Sequence, residues 1–592
     1  MQKIILFFVL LQNNFPKKMK TKKNILITVG VIALIVAVNI LLQNYFYRFD
    51  LTSEKRYTIS DNTKNLLRNL DNNLEVVIYL DGEMSSDYLR LKRATVEMLN
   101  EFRVYAGKKL SHSFVNPSLA ASNKERLANY ERLEQQGLRA TLDYKNSNEG
   151  QTVQKKLFPW AQIIYTHLET GRTDTVNVRL LKDIPGKEQE DKVKISIENL
   201  EFELTDAIRT LTNRDIQKIA FLEGHRELSE LRTFDITQAL SRYFQIDRGS
   251  LGSDPTILNS YKAIVIAKPS ERFSENDKYI IDQYIMNGGR VLWLVDGARV
   301  SMDTLAIYGM SPALPNDINL NDQLFRYGVR INADIIMDTQ CGLVPIDQAE
   351  EGNAPDYQWK PWYYTPLLTP PALFHSPHVV SKNINPVKGK FASSIDFVGN
   401  DPNINKEILL ATSLYSRTIP TPTRIGIMEA LELPADPIFF NQHYVPVAVA
   451  LSGTFTSVFA NRMPPKSIIN VEEQKTKSVN TRMIVVANGD IIRNDINSSG
   501  YALPLGYDEY YYKFTREYFG NRNFILNSIL YLTDDEDWFS LRSRELTLRL
   551  LDKVAVNKNK KFLQVTNIGL PIVALLLFAV GNVIIRKRKY AK

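Results

Sequence analysis

The chain predicts an α/β fold class, with α/β domains held between two membrane-spanning helices, and three observations carry that prediction. Short apolar runs of strand length alternate with amphipathic stretches of helix length from Leu74 to Asp296. Two charge-free runs of 24 residues, Asn24–Tyr47 and Phe562–Ile585, stand near the two ends. Charge is also unevenly placed. The whole chain carries +8, yet six Lys lie in residues 1–23 and five Lys or Arg in residues 586–592, with no acid in either tail. Without those eleven, 62 bases face 65 acids. A near-neutral body with basic ends suits membrane flanks, not a nucleic-acid partner.

Each element follows in order. Residues 1–23 read as a basic cytoplasmic tail. Within it Ile4–Leu11 is too short to span, and "MKTKKNILITVG" from Met19 is a cleaner start. Residues 1–18 are therefore expected to come from an upstream start codon or to be dispensable. The run "NILITVGVIALIVAVNILLQNYFY" (24–47) would rise about 36 Å as a helix, against about 30 Å of bilayer hydrocarbon. It is too long for the apolar core of a signal peptide, and no small-x-small cleavage site follows it. Tyr45, Phe46 and Tyr47 resemble an interfacial aromatic belt. Lysines precede this run and only Arg48 follows closely, so the amino terminus is expected in the cytoplasm. The second run, 562–585, contains Gln564, Asn567 and Pro571 and ends at "RKRK". It returns the chain to the cytoplasm, where residues 586–592 form a second basic tail. The expected location is the bacterial inner membrane, crossed twice, with a periplasmic body in contact with membrane lipid.

The body begins at "FDLTSEKRYTIS" (49–60), with Ser60 placed to cap the helix "DNTKNLLRNL". Residues 48–185 read as a first extracytoplasmic α/β domain. Its strands are Leu74–Leu80, Leu110–Pro117, Ala161–Leu168 and Thr173–Leu181. Its helices are Tyr88–Ala106, with apolar positions Leu91, Val96, Leu99 and Phe102, and a charged one near Lys124–Gln136. The outline is thioredoxin-like. It lacks a CxxC, which excludes thiol redox chemistry. "PGKEQEDK" (185–192) reads as a linker, and "SIENLEFELTDAIRTLTN" as a helix leading into a second unit. That unit covers 193–300, with strands Lys218–Gly224, Lys262–Ala267 and Arg290–Asp296, and returns at 482–545 with strand Arg482–Asn488. Apolar strands alternating with helices predict a doubly wound, mostly parallel sheet covered on both faces. Residues 301–481 read as a β-rich insertion or subdomain, and 546–561 as a linker to the second span.

Several segments in this order resemble a known family: "YRFDLTSEKRYTIS", "VVIYLDGE" with "FVNP", "IAFLEGHREL", "YKAIVIAKPSERFSENDKYIIDQYIMNGGRVLWLVD" and "GNRNFILNSILYLTDDED". They resemble the auxiliary components of ABC-type transport systems, and within these the GldG group of gliding-motility subunits. The resemblance implies an extracytoplasmic protein working with a separate ABC permease and a separate ATPase, in contact with envelope or motility components.

The chemistry available is limited. No G-x-x-x-x-G-K-[ST] occurs, so the chain has no phosphate-cradling loop of an ATPase. Cys341 is the sole cysteine, which excludes an intrachain disulfide and a cysteine zinc site. The second unit is glutamine-amidotransferase-like in outline, but no Cys follows any of its strands, so the nucleophile of those enzymes is missing. His375 and His378 are three apart with no further ligand in view, and "DDED" (534–537) reads as a solvated helix end. No metal and no cofactor are expected. Ligands of doubly wound sheets bind outside the carboxyl ends of the strands. Glu223, Gly224, His225, Lys268, Asp296 and Asp490 follow or end the expected strands and form the candidate ligand-binding set. The plainer reading of Gly224 is a turn that needs its conformational freedom, with Glu227 favouring the next helix. The chain is thus expected to be a non-enzymatic subunit that binds a ligand or couples the motor to the envelope. A membrane-tethered hydrolase or amidotransferase acting on envelope material, and a structural scaffold without ligand, are the alternatives.

Overall fold

The computed structural model describes residue 30 and residues 59–146, 152–168, 171–182, 188–212, 216–347, 356–371, 373, 377–428, 433–468, 474–515, 517–534 and 560–590. The expected span 24–47 lies outside these residues except for Gly30, which is helical. Both terminal tails, apart from helical residues 586–590, and almost all of the expected linker 546–561 lie outside them too. The chain divides into two compact units, residues 1–58 and 59–592. Everything below concerns the second.

Ser60 caps helix α1 (Asp61–Arg68), its hydroxyl accepting from the Thr63 N–H at 3.1 Å. The capping residue and the helix are those anticipated. β1 (Asn73–Ile78) alternates, with Leu74, Val76 and Ile78 buried. α2 (Ser86–Ala106) lays Leu91, Leu99 and Phe102 on the sheet. Thr95 rather than Val96 completes that buried face, its hydroxyl satisfied by the Leu91 carbonyl at 2.9 Å. Then come β2 (Leu110–Phe114), α3 (Asn123–Gln135), the hairpin β3 (Thr141–Asn146) and β4 (Thr152–Leu157), β5 (Trp160–Thr166) and β6 (Thr173–Arg179). The sheet order is β2-β1-β5-β6, with β1 and β2 parallel and the remaining pairs antiparallel. The β3–β4 hairpin was not anticipated: its residues are mostly polar, so no apolar alternation marks it.

α4 (Gln189–Thr212) starts seven residues before the expected helix and absorbs the end of the expected linker. It does not simply lead into the second unit. Val193, Leu200, Leu204, Ala207 and Ile208 lie in the core of the first sheet. Phe202 lies in the core of the second. Four residues on from Phe202, and so on the same side of the helix, Asp206 accepts a hydrogen bond from Tyr243 of the second domain at 3.0 Å. Glu201 reaches back to the amino-terminal helix, accepting from the Ser60 N–H at 2.7 Å and the Thr63 hydroxyl at 3.0 Å.

The second sheet contains β7 (Lys218–Glu223), β8 (Gln245–Ser250), β9 (Ala263–Ala267), β10 (Arg290–Leu294), β11 (Ile404–Ala411), β12 (Pro446–Gly453) and β13 (Thr481–Val486). Its order is β11-β12-β13-β10-β9-β7-β8. Five strands are parallel, and β12 and β11 extend that sheet antiparallel. Helices cover both faces. α5 (Phe234–Leu240) and α7 (Asn521–Thr533) lie on one, α6 (Glu275–Met286) on the other. β9 is buried along its whole length, as a central strand between two helical layers must be. The segment 301–481 is more than an insertion, because it donates β11 and β12 to this sheet. Several of its other strands gather round a smaller core of Trp362, Tyr364, Phe391 and Phe440.

α8 (Lys560–Tyr590) includes Phe562–Ile585, which has mean hydropathy 2.6 and no part buried in the protein. It is the one candidate membrane span among the described residues.

Phe202→Ala would empty a buried site between the two sheets. The expected cost is about 3–5 kcal/mol, with faster proteolysis between residues 212 and 218. Limited proteolysis alongside chemical denaturation checks this. Unchanged cleavage would mean that Phe202 does not join the domains.

Candidate functional site

Numbered along the chain, the five parallel strands lie in the order 2-1-3-4-5. The direction of winding reverses between β7 and β9, and a doubly wound sheet opens its crevice at that point. β7 ends in Glu223 and Gly224, and β9 leads directly into Lys268. Gly224 has φ +119°, a conformation that a side chain disfavours.

The crevice is filled. The His225 carbonyl accepts from the N–H groups of Ser270 (2.9 Å) and Glu271 (3.0 Å), and the Leu228 N–H donates to Ala267 at 2.9 Å. These bonds stitch the two strand-end loops together. The His225 ring is buried and stacks on Phe273 at 3.6 Å between centroids. Its two nitrogens meet two carboxylates: Nδ1 lies 3.0 Å from Glu227 and Nε2 3.2 Å from Asp277. Asp277 also holds the first turn of α6, accepting from Ser274 at 2.6 Å. Burial disfavours the imidazolium, but the hydrogen bonds it donates to Asp277 and Glu227 outweigh that and push the His225 pKa up to about 9. His225 is therefore a charged structural post at neutral pH. Glu223 is held separately by Arg248 at 2.8 Å, a guanidinium that also donates to Thr233 and to the Leu228 carbonyl.

Lys268, Asp296 and Asp490 do come together. The Lys268 ammonium lies 2.5 Å from Asp490 and 3.3 Å from Asp296. The Gly489 N–H donates to Asp296 at 2.6 Å. Lys268 has φ +56°, and a Cβ on Gly489 would stand 2.5 Å from the Lys268 Cβ, so glycine is required for this closeness. Burial works against the charge of Lys268, but the two aspartates hold its pKa above the ordinary value. Burial raises Asp296. Asp490 is held low against burial by Lys268, Lys390 and Arg493. Five of the six predicted residues thus fall into two ion-paired clusters and a separate Glu223–Arg248 pair, and Gly224 forms the turn between Glu223 and His225. Sequence reasoning missed Glu227's role toward His225, Asp277, Arg248, Lys390 and Arg493. Only the short spacings of His225 with Glu227 and of Asp490 with Arg493 gave a local signal.

Room at these strand ends is small. The cavity beside Val295–Gly297 measures about 70 Å³, whereas small-molecule pockets run to roughly 300–1,000 Å³. A larger hollow of about 420 Å³ lies at the opposite, amino-terminal ends of β10 and β13. There Arg290 donates to the Leu532 carbonyl (2.7 Å) and Arg482 to the Tyr531 carbonyl (3.0 Å), holding the last turn of α7. Burial pushes the Cys341 thiol up to about 12, which leaves it protonated. His378 stacks edge-on against Tyr531, and His375 lies outside the described residues. Among the described residues no group of three or more His, Cys, Asp or Glu is placed to hold a metal ion.

Two outcomes follow. Lys268→Met leaves two carboxylates facing each other in a buried site and is expected to destabilise by about 3–5 kcal/mol. Lys268→Met with Asp490→Asn should recover part of that loss in the same denaturation series. For His225 the folded pKa is raised, so its contribution is complete below about pH 6.5 and vanishes as pH rises through about 9. The stability difference between wild type and His225→Asn, on the order of 3 kcal/mol at pH 6, should shrink steadily by pH 9.5. A pH-independent difference would show that the imidazolium pairs contribute nothing.

Comparison with known proteins places the chain. A family model described as an ABC-type uncharacterized transport system matches residues 217–528, and one described as a domain of unknown function matches 53–164. A protein of Borreliella burgdorferi, itself described as an uncharacterized protein, is 20% identical over 555 residues, covering 92% of this chain and 94% of that one. Among solved structures, the mmIFT52 N-terminal domain aligns at 12% identity and TM-score 0.30, over 54% of this chain and 99% of that one. With more than half of its residues matching the first model, this chain belongs to the ABC-type transport-system auxiliary family.

Proposed function

We propose that this protein is a non-enzymatic, membrane-anchored subunit of an ABC-type transport complex. In this reading both apolar runs cross the bacterial inner membrane, both termini are cytoplasmic, and the two α/β domains form a periplasmic body. The first sheet is taken as thioredoxin-like and the second as amidotransferase-like, each without the cysteine that such folds use for chemistry. Power comes from a separate ATPase acting through a separate permease. Within the family the segments shared with the GldG group favour a role in gliding motility, with the body meeting envelope components.

One observation carries this reading. Where an α/β enzyme or binding protein places its reactive groups, this sheet places His225 between two carboxylates and Lys268 between two aspartates. Groups so paired brace the strand ends and are not available to a substrate. The six residues are accordingly read as structural, and the body as a coupling element more than a receptor for a soluble ligand.

The test is purification of the full chain from native membranes. Recovery of a multi-spanning permease and an ATPase in constant ratio is expected, and their repeated absence would overturn the reading. Glu223→Ala should leave both assembly and surface motility unchanged. Lost motility with assembly intact would instead favour a membrane-tethered enzyme.

A further inference from the structure

The short helix Glu509–Thr515, which precedes α7, carries Tyr510, Tyr511, Tyr512 and Phe514, and none of its residues is buried. Its position is nonetheless fixed. Asp508 caps it, accepting from the Tyr511 N–H at 2.9 Å, and is itself held by the Lys388 ammonium at 2.5 Å. Tyr511 stacks on buried Phe519 at 4.1 Å between centroids. Tyr510 and Phe514, four apart, share another side of the helix. The Tyr510 ring meets Phe514 at 4.6 Å and Trp359, from the strand Tyr357–Leu368, at 5.2 Å. Phe514 is 67% exposed, and so is 61% of Tyr357, which shares a strand face with Trp359. Trp359, Tyr510 and Phe514 thus form a continuous strip of rings on a braced support. No Leu, Ile, Val, Met or Ala occurs between Tyr507 and Phe519 or between Tyr357 and Tyr364. Exposed Glu509 and Lys513 stand one residue before Tyr510 and Phe514. The hairpin residues 348–355 (QAEEGNAP) hold no large apolar side chain that could cover the rings.

Rings edged by charge and free of aliphatic neighbours suit a sugar chain. A pyranose presents a face of C–H bonds, which stacks on the electron-rich face of an aromatic ring. Its rim of hydroxyls hydrogen-bonds charged side chains such as Glu509 and Lys513. The core of a protein interface is depleted of such charges. The balanced charge also differs from the basic groove that stacks nucleic acid. A lipid surface is disfavoured by position: Phe519 lies just before the amino end of α7, whereas the chain continues toward α8 from the other end, about 20 Å along that helix. From this we infer that the Trp359–Tyr510–Phe514 strip binds an extended, β-linked glycan strand, whose sugar faces follow one another in a ribbon as the rings do. The inference deepens the proposed function by naming the chemistry of the envelope component, and it rests on that reading for the place where the strand is met.

The experiment titrates the full chain, purified in detergent, with chitohexaose, cellohexaose and maltohexaose by calorimetry. Saturable binding of chitohexaose or cellohexaose is expected, with α-linked maltohexaose at least about tenfold weaker. Which of the first two binds distinguishes an N-acetylated strand from a plain one. Tyr510→Ala with Phe514→Ala should weaken that binding by about tenfold or more. Phe514→Trp should retain it, and Tyr308→Ala, which removes an equally exposed ring elsewhere, should leave it unchanged. The unfolding midpoint of the double variant should stay within a few degrees of wild type, because neither ring is buried. No binding of any of the three sugars, equal binding of maltohexaose, or undiminished binding by the double variant would overturn the proposal. Loss of a co-purifying permease from membranes carrying the double variant would overturn it too, and make the strip a protein contact. Failure of the wild-type chain to bring down a permease would overturn the proposed function and leave the measured glycan binding standing.

Discussion

The folded body depends on one helix being shared between two hydrophobic cores. α4 buries Leu200, Leu204 and Ile208 under the first sheet while Phe202 enters the second. A residue committed to each core removes the freedom that an ordinary interdomain linker leaves. Asp206 and Tyr243 add a hydrogen bond at the same junction, where burial raises the Asp206 pKa. Glu201, on the same helix, takes hydrogen bonds from Ser60 and Thr63. The start of the second unit, at Ser60 and Thr63, is therefore tied to the helix that joins the domains.

The other end is tied as firmly. α7 packs on the second sheet through Phe524, Ile525 and Ile529, and Arg290 and Arg482 grip its final carbonyls. Arg290 is the first residue of β10 and Arg482 the second of β13, two central strands of the sheet. Displacement of the chain beyond α7 would load the sheet directly. Lys268 and His225 each hold two carboxylates. Buried pairs of this kind add little net stability over apolar packing but are costly to break. They act as fasteners at the point where this sheet type usually opens.

Much of this was legible from residues alone. The parallel strands are continuous apolar runs, so β7, β9, β10 and β13 could be placed within a residue or two. Ser60, followed by polar and then apolar spacing, marked the cap of α1. The 24-residue charge-free run at 562–585 coincides with the apolar part of α8. The edge strand β8 (QIDRGS) escaped notice because an edge needs few apolar residues and carries charges instead. β11 and β12 were read as part of an insertion because nothing local tells a strand which sheet it will join. Of the candidate site, the positions at strand ends were found, but not their partners. Asp277 lies 52 residues from His225, and Asp490 lies 222 from Lys268.

The residues by themselves thus determined the class of fold, the apolar carboxy-terminal helix, the parallel strands and the absence of a phosphate loop or catalytic cysteine set. All of these are local in the chain: a period, a length, a missing residue type. Tertiary structure decided what the strand-end residues meet. Only the folding of distant segments brought Asp277 to His225 and set Lys268 between Asp296 and Asp490. Only it placed Phe202 in one core and its neighbours in another. Charge pairing and shared burial are relations between residues far apart in sequence, and no local pattern records them.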